Sequence, residues 1–262
     1  MPLSKKSSIH GIFRDVDNIG WSKSCTPQGF YPLARALIPW FAAASLLFCT
    51  LGLYLGFFVA PTNAQQGEAY RIIFIHVPAA WMSMLIYLLL VVCASVGLVF
   101  NARLATMMAH ALAPTGAMFA FLTLWTGCLW VKPIWDAWWV WDMRLFSELI
   151  LLFLYLGFIA LQAAIDDPPL ADRAGALLAM AGIANIPIYV LSMQWWTTLH
   201  QGASISLADA PGMALPVLSG MLAMAAGFCL YSCAVVLLRL RCVIPEREHH
   251  SNWVATCGRA SS

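Results

Sequence analysis

Long apolar segments alternate with short polar ones along most of the chain. Six segments contain no charged residue: 36–67, 72–102, 104–131, 149–165, 174–208 and 210–238. Most of them exceed the roughly 20 residues that a helix needs to cross a bilayer, and the short fourth segment can extend back to Phe146 or Ser147. The pattern predicts an all-α integral membrane protein with six transmembrane helices, at about residues 37–60, 78–100, 107–128, 143–165, 174–197 and 213–238.

Two histidines lie where predicted helices begin or end. Proline is tolerated in the first turn of a helix and pushes the residue before it toward an extended conformation. The second helix is therefore predicted to begin at Pro78, with Val77 extended and His76 at the mouth of the helix. The fifth helix is predicted to end near "WWTTLHQG", where Gly202 suits a C-terminal cap and His200 lies beside it. Both histidines fall on the same side of the membrane.

The balance of charges sets the orientation. The chain is 61% hydrophobic and 10% charged, whereas a soluble domain has about 25% charged residues, so a soluble globular protein is excluded. Six helices put both termini on one side. That side carries eleven cations, Lys5, Lys6, Arg14, Lys23, Arg35, Arg103, Arg173, Arg239, Arg241, Arg247 and Arg259, against Arg71, Lys132 and Arg144 on the other. This bias predicts cytoplasmic termini.

The predicted organisation is a cytoplasmic tail at 1–34, a six-helix membrane domain at 35–240 and a second cytoplasmic tail at 241–262. A multi-pass protein of this kind is expected in the bacterial inner membrane. Residues 129–142, between the third and fourth helices, then form an outer loop that faces the periplasm.

The outer loop belongs to a segment rich in tryptophan. "WTGCLWVKPIWDAWWVWDMRLFSELI", residues 125–150, holds six of the twelve tryptophans of the chain. Tryptophan is enriched at membrane interfaces because its ring is amphipathic, and Trp40, Trp81 and Trp125 fit that role. An interfacial belt is scattered over several helix ends, whereas these residues are concentrated in one loop. Composition leaves open whether the loop is a belt or a platform for a flat apolar ligand.

Haem is such a ligand, and the same side of the membrane offers groups that suit it. His76 and His200 could bind the iron axially, although a histidine at a helix end can also be a simple interfacial hydrogen-bonding residue. The ring plane could rest on Trp130, Trp135, Trp138, Trp139 and Trp141, with Arg144, Lys132 and Arg71 available for the carboxylate arms. Asp142 is predicted to be the N-cap of the fourth helix, and it could orient Arg144 or an indole N–H of the loop.

Other functions receive less support from the sequence. The eight cysteines form no CxxC or CxxCH motif, and there is no Walker motif, so no catalytic residue is assigned and any ATP hydrolysis would come from a partner. No feature points to nucleic acid. A b-type electron-transfer cytochrome would hold histidine pairs inside its helices, where only His110 is found. A permease for haem or another small solute would line a pathway with intramembrane charges, which are nearly absent.

Three segments carry a family resemblance. "WDAWWVWDMRLFSELILLFLYLG", preceded by "TGCLW", resembles the tryptophan-rich WWD signature of haem-handling proteins in cytochrome c biogenesis. Within that superfamily the chain is similar to the CcmC family, the haem exporter proteins C. "FIHVPAAWMSM" and "WWTTLHQGASI" resemble the segments that carry the two histidines of that family. The resemblance covers about residues 35–240.

The resemblance implies a role as well as a fold. His76 and His200 would be axial ligands of a haem b that is bound transiently and without a covalent bond, and the segment 130–144 would be its platform. The family presents haem at the periplasmic face to the haem chaperone CcmE, and it assembles in the bilayer with CcmA, CcmB and CcmD. The sequence departs from the family at Val131 and Asp136, where glycine is usual, which leaves the turn geometry of the loop open.

Overall fold

The protein is a bundle of helices. The computed structural model describes residues 26–63, 66–195 and 214–249, without the side chains of residues 134 and 192–195. Seven α-helices are found in these ranges: α1 Pro27–Tyr54, α2 Ile73–Phe100, α3 Arg103–Trp135, α4 Met143–Ala164, α5 Pro168–Gly182, α6 Asn185–Trp195 and α7 Leu215–Arg247. A π-helical turn, Leu55–Val59, extends α1, and a 3-10 turn, Glu68–Ile72, precedes α2. Within the described ranges there is no strand longer than an isolated bridge.

Six helical stretches are long and apolar enough to cross a membrane, which confirms the predicted fold class. They are Pro27–Val59, Glu68–Phe100, Arg103–Pro133, Met143–Ala164, Pro168–Leu191 and Leu215–Arg247. Several are longer than the charge-free segments because a helix continues into polar residues beyond the apolar stretch. The first helix begins at Pro27, where the Thr26 hydroxyl accepts a hydrogen bond from the Gly29 N–H at 3.2 Å. The last helix continues to Arg247.

The start of the second helix differs from the prediction. α2 begins at Ile73, directly after the 3-10 turn, so Val77 is helical and Pro78 lies inside the helix. The prediction that Val77 is extended and that the helix starts at Pro78 was therefore wrong. Pro78 has no backbone N–H, so the helix lacks one hydrogen bond at this point. The helix continues through Pro78 despite that missing bond. His76 consequently lies in the first turn of α2 rather than before it.

The fifth span is two helices rather than one. α5 ends at Gly182 and α6 begins at Asn185. Pro187, in the first turn of α6, cannot donate a backbone hydrogen bond to the residue four positions earlier, which favours an interruption at this point. The Asn185 side-chain amide instead donates to the Ser147 carbonyl on α4 at 2.8 Å. This bond ties the interruption to the neighbouring helix.

The alternation of helix directions brings six helix ends together. The C-terminal ends of α1, α3 and α6 and the N-terminal ends of α2, α4 and α7 share one end of the bundle, hereafter the His76 end. Ala60, Ile73, Phe74, Val217 and Met221 form a buried apolar cluster there, and Trp130 packs against it. The opposite end carries Arg103, Arg173 and Arg247. The cluster joins the ends of α1, α2, α3 and α7.

Small residues let the outermost helix pack closely. α1 contacts the rest of the bundle mainly through α7. A Cβ atom on Gly52 would lie 2.9 Å from the backbone nitrogen of Met224, so only glycine permits this approach. The Ser45 hydroxyl donates to the Gly227 carbonyl at 2.9 Å across the same contact. Close backbone approach with an interhelical hydrogen bond is the usual packing of transmembrane helices, which lack a hydrophobic driving force in lipid.

The bundle interior holds two tyrosines that are paired with each other. The Tyr87 and Tyr155 rings meet edge to face with centroids 5.3 Å apart. Tyr155 Oη donates to the Ser83 carbonyl at 2.7 Å, and Tyr87 Oη donates to the Ala179 carbonyl at 3.0 Å. Buried hydroxyls need such partners because no water is available in the apolar interior. These bonds join α2, α4 and α5 around one polar centre.

Candidate functional site

His76 is buried at the His76 end of the bundle and has a defined hydrogen bond. It is 8% exposed, and its Nδ1 lies 3.0 Å from the Thr126 hydroxyl on α3. That hydroxyl also lies within hydrogen-bond distance of two carbonyls of its own helix, that of Leu122 at 2.7 Å and that of Thr123 at 3.1 Å. In the tautomer that carries Nδ1–H, His76 donates to Thr126 and Nε2 holds the lone pair of the neutral ring. A fixed Nδ1–H tautomer is the form in which Nε2 binds a metal.

Trp130 forms one wall beside this histidine. The rings of His76 and Trp130 meet edge to face, with centroids 5.6 Å apart and planes at 77°. The Trp130 indole N–H donates to the Gln66 side-chain carbonyl at 3.1 Å, and the Asn63 side chain in turn accepts from the Gln66 backbone N–H at 3.1 Å. These bonds hold Trp130 in one orientation. The polar chain therefore fixes the aromatic wall against the histidine.

The connection between α3 and α4 is shorter in the structure than the predicted loop at residues 129–142. α3 continues to Trp135, so Trp130 and Lys132 lie on a helix, and the connection to α4 spans only residues 136–142. The prediction of a loop that begins at residue 129 was wrong, because Pro133 sits inside the last turns of α3 without ending the helix. The tryptophans therefore come from both a helix end and a short loop.

Asp136 ends α3 in a conformation that usually selects glycine. Its φ is 53°, and its backbone N–H donates to the Lys132 carbonyl at 3.0 Å. Asparagine and aspartate adopt this left-handed conformation more readily than other side chains do. The Lys132 ammonium bonds the Asp136 carboxylate at 2.5 Å and the Asp136 carbonyl at 3.1 Å. An aspartate bonded to a lysine thus ends α3 in the conformation that glycine adopts most readily.

Three tryptophans present aromatic surface outward. Trp135 and Trp138 are exposed, and Trp141 is 78% exposed. The ring of Trp141 packs edge to face on Trp139, with centroids 5.8 Å apart, and the Lys132 ammonium lies 5.7 Å from the Trp138 ring centroid. Trp139 is half-buried beside Trp141. Exposed indole rings beside a half-buried one form an aromatic surface that can receive a flat ligand.

Two buried N–H donors, one in the connection before α4 and one in the first turn of α4, lack partners within the described ranges. They are the indole N–H of Trp139 and the Nε–H of Arg144. Asp142 caps the same helix, since its carboxylate accepts from the Arg144 backbone N–H at 2.8 Å. A buried donor without an acceptor is unfavourable and marks a place where an acceptor is expected to bind. The predicted N-cap role of Asp142 is confirmed.

The other two candidate cations already have protein partners. Arg71 bonds the Glu68 carboxylate through Nε and the Gly56 and Ala60 carbonyls through a terminal nitrogen. It therefore satisfies the carbonyl end of the π-helical turn that extends α1. Lys132 is engaged with Asp136, as described above. Of the three cations, Arg144 is the one with a buried donor that has no partner in the described chain.

The packing brings some of the predicted residues together and leaves others apart. A Cβ on Gly127 would lie 3.1 Å from Leu145 and 3.3 Å from the His76 ring, so the residue that follows Arg144 lies across α3 from His76. His200 lies outside the described residues. Trp40 and Trp125 are exposed on the sides of the bundle, as expected for interfacial anchors.

Sequence reasoning missed several residues of this site. No sequence pattern indicated that Thr126 orients His76 or that Gln66 orients Trp130, because each of these hydrogen bonds joins residues far apart in the chain. A threonine one helical turn before Trp130, on the face toward a histidine, is a weak signal at best. The distinction between Trp139 and its exposed neighbours also needed the structure.

The chain is similar to known proteins over most of its length. The Heme exporter protein C family, CcmC, matches residues 20–255. The Escherichia coli K12 protein named "Heme exporter protein C" is 45% identical over 230 residues, which are 87% of this chain and 92% of that protein. The protein of the same name from Haemophilus influenzae is 39% identical, over 87% of this chain and 93% of that protein. The one from Bradyrhizobium diazoefficiens is 41% identical, over 86% of this chain and 85% of that protein. The chain belongs to the heme exporter protein C family.

Proposed function

We propose that this protein acts in haem export for cytochrome c maturation by binding haem at the His76 end and presenting it to the haem chaperone CcmE. Its relatives carry the name "Heme exporter protein C", and a Marchantia polymorpha relative, 43% identical over 167 residues, is named a putative cytochrome c biosynthesis protein. The observation that carries the proposal is the His76–Thr126 hydrogen bond, because a partner at Nδ1 orients the ring and supports the tautomer in which Nε2 ligates iron. His200 supplies the second axial ligand in this proposal.

The aromatic residues hold the plane of haem b without a covalent bond. Trp130 lines the histidine, and Trp135, Trp138 and Trp141 offer exposed indole faces next to it in the chain. A porphyrin is a broad apolar disc, so indole faces and edges give it a large contact area. Because these rings are exposed, one edge of the haem stays open to a docking partner.

The carboxylate arms bind the two unsatisfied donors. Trp139 and Arg144 have buried N–H groups whose acceptors are missing in the described chain. A carboxylate accepts from an indole N–H and from a guanidinium, and charge-assisted bonds of the second kind are about twice as strong as neutral ones. Asp142 holds the backbone of Arg144 and so sets where its side chain starts.

The membrane orientation follows from the cations. Arg103, Arg173, Arg239, Arg241 and Arg247 lie toward the end opposite His76. By the positive-inside rule that end is cytoplasmic, and the haem site faces the periplasm from the bacterial inner membrane. ATP hydrolysis comes from the partner CcmA, which assembles with CcmB, CcmD and this chain in the bilayer.

Changing Thr126 to valine should weaken haem binding without unfolding the protein. Valine keeps the shape of threonine but cannot accept from His76 Nδ1–H, so the ring loses its tautomer and orientation. Loss of such an outer-shell partner costs about 10–100-fold in affinity for a metal. The affinity is measured by absorption titration of the purified protein with haem.

Thr123→Val is the matched control for this experiment. Thr123 is buried on the same helix, and its hydroxyl donates to the Phe119 carbonyl at 2.9 Å. It has no bond to His76 among the described contacts. Equal losses of haem affinity in the two variants would contradict the role of Thr126.

Trp139→Phe and Trp138→Phe should differ in their effect on haem binding. The first variant removes a buried indole N–H that has no protein acceptor, whereas the second changes an exposed ring. A hydrogen bond to a charged group contributes about 1.5–3 kcal/mol, so Trp139→Phe should weaken binding about 10–100-fold. Titration with haem measures both variants, and a larger effect at Trp138 would argue against Trp139 as a carboxylate donor.

A further inference from the structure

Two arginines lie in the groove between α1 and α7, near the end of the bundle opposite His76. Arg241 on α7 lies over the Tyr31 ring of α1, with its Cζ 4.8 Å from the ring centroid. One of its terminal nitrogens donates to the Tyr31 hydroxyl at 3.4 Å. Arg35 follows Tyr31 by four residues on α1, so the two share a helix face, one turn or ~5.4 Å apart. Arg35 therefore lies about one turn from the guanidinium of Arg241.

These two cations have no anionic partner in the described part of the chain. Neither Arg35 nor Arg241 forms an ion pair there, and the buried Nε–H of Arg241 has no acceptor there. Arg247, at the same end of the bundle, is by contrast paired with Asp172 at 2.7 Å. Two like charges in one groove repel each other. An anion bound between them would remove that repulsion.

Both arginines lie at the boundary of the predicted membrane region. The charge-free segment 36–67 begins directly after Arg35, and the segment 210–238 ends three residues before Arg241. Such segments mark the hydrocarbon core, and arginines at helix ends extend their charged heads into the headgroup layer. Leu238, one turn before Arg241 on the same helix face, is 47% exposed. The groove thus presents two guanidinium groups at headgroup depth, with apolar surface next to them on the membrane side.

We propose that Arg35 and Arg241 bind the phosphate of an anionic phospholipid in the leaflet at this end of the bundle. Guanidinium groups form strong charge-assisted hydrogen bonds to phosphate, which are often bidentate. Basic pockets between transmembrane helices bind the headgroups of anionic lipids in this way. A phosphate shared by the two arginines links α1, the outermost helix, to α7. This inference does not depend on haem binding, so its failure would leave the proposed function untouched.

The chemistry of the groove distinguishes a lipid from other phosphates. Phosphatidylglycerol carries only the negative charge of its phosphate, whereas phosphatidylcholine also carries an ammonium group that the two arginines repel. Inorganic phosphate is an anion as well, but it has no acyl chain to cover the exposed apolar surface at Leu238. The groove should therefore prefer phosphatidylglycerol to both.

The test is a titration of the full-length protein in detergent with phosphatidylglycerol or phosphatidylcholine, with the bound lipids counted by native mass spectrometry. The wild type should bind the first phosphatidylglycerol at least about tenfold more tightly than phosphatidylcholine, because each arginine near the surface contributes about fivefold. Arg241→Gln and Arg35→Gln should each lower the affinity for phosphatidylglycerol about fivefold. Arg35 is exposed, so Arg35→Gln tests the site even if Arg241→Gln loosens the contact with Tyr31.

Arg239→Gln is the matched control. Arg239 is exposed and lies two residues before Arg241 on α7, so it has a similar depth but lies on another face of the helix. Its replacement should leave the affinity for phosphatidylglycerol nearly unchanged. An equal loss in Arg239→Gln would indicate a general attraction to positive charge and would overturn the site. Equal affinities of the wild type for the two lipids would overturn it too, as would displacement of the first lipid by inorganic phosphate, which would make the occupant a free anion.

Discussion

His76→Ala should lower the affinity for haem by more than about 100-fold, since even loss of the outer-shell partner of a ligating histidine costs about 10–100-fold. The substitution removes the Nε2 lone pair that Thr126 prepares, and it opens a small cavity beside Trp130. The wild-type protein should show the absorption bands of haem with two imidazole ligands, and the variant should lose them. Added imidazole should restore part of the spectrum in His76→Gly.

His110→Ala is the matched control. His110 is the other histidine on a described transmembrane helix, lies on α3 and lines a cavity of about 630 Å³ at the opposite end of the bundle. Its replacement should leave the absorption spectrum unchanged. Wild-type bands in His76→Ala, or their loss in His110→Ala with His76 intact, would show that the iron is bound elsewhere.

Gly116→Ala should destabilise the bundle. A Cβ at Gly116 would lie 2.1 Å from the Tyr155 ring and 2.3 Å from its hydroxyl oxygen, so the ring must move. That movement breaks the bond from Tyr155 to the Ser83 carbonyl and disturbs the contact with Tyr87. Overpacking of this kind costs about 1–3 kcal/mol, which outweighs the ~1 kcal/mol that alanine contributes over glycine in a helix.

Gly157→Ala, on α4, separates the packing effect from helix propensity. A Cβ there meets only the flexible end of Leu178, at 3.1 Å, which can shift. Thermal unfolding of the detergent-solubilised variants should show a lower midpoint for Gly116→Ala and little change, or a slight rise, for Gly157→Ala. A normal midpoint for Gly116→Ala would mean that Tyr155 does not pack as the structure has it.

Much of the fold could be predicted because hydropathy reports burial in lipid directly. The six charge-free segments correspond to the six spans, and Asp142 caps α4 as expected. The errors lie at helix ends, at Ile73, at Trp135 and between Gly182 and Asn185. A proline inside a helix costs one backbone bond, and the surrounding packing decides whether the helix continues or stops. The helices continue through Pro78 and Pro133, whereas the fifth span is interrupted just before Pro187.

The candidate site, like the fold, could be predicted only in part from the sequence. The residue types, the side of the bundle and the family could be inferred from local motifs, because the order of helices alone places residues at one end. The partners of those residues could not. Arg71 is a fitting cation by type, yet it bonds the helix end at Gly56 and Ala60. Asp136, where glycine was expected, is explained only by its contact with Lys132.

The sequence by itself determined the number of spans, the end at which His76 lies, and the concentration of indole rings there, because these depend on the order and composition of segments. Only the tertiary structure decided which residue pairs with His76, which buried donors are left without acceptors in the described chain, and that Glu148 is buried inside the bundle. The His76–Thr126 bond joins residues 50 apart and the Tyr155–Ser83 bond residues 72 apart. Such pairs depend on how each helix is rotated against its neighbours, and hydropathy along a uniformly apolar segment carries little information about that rotation.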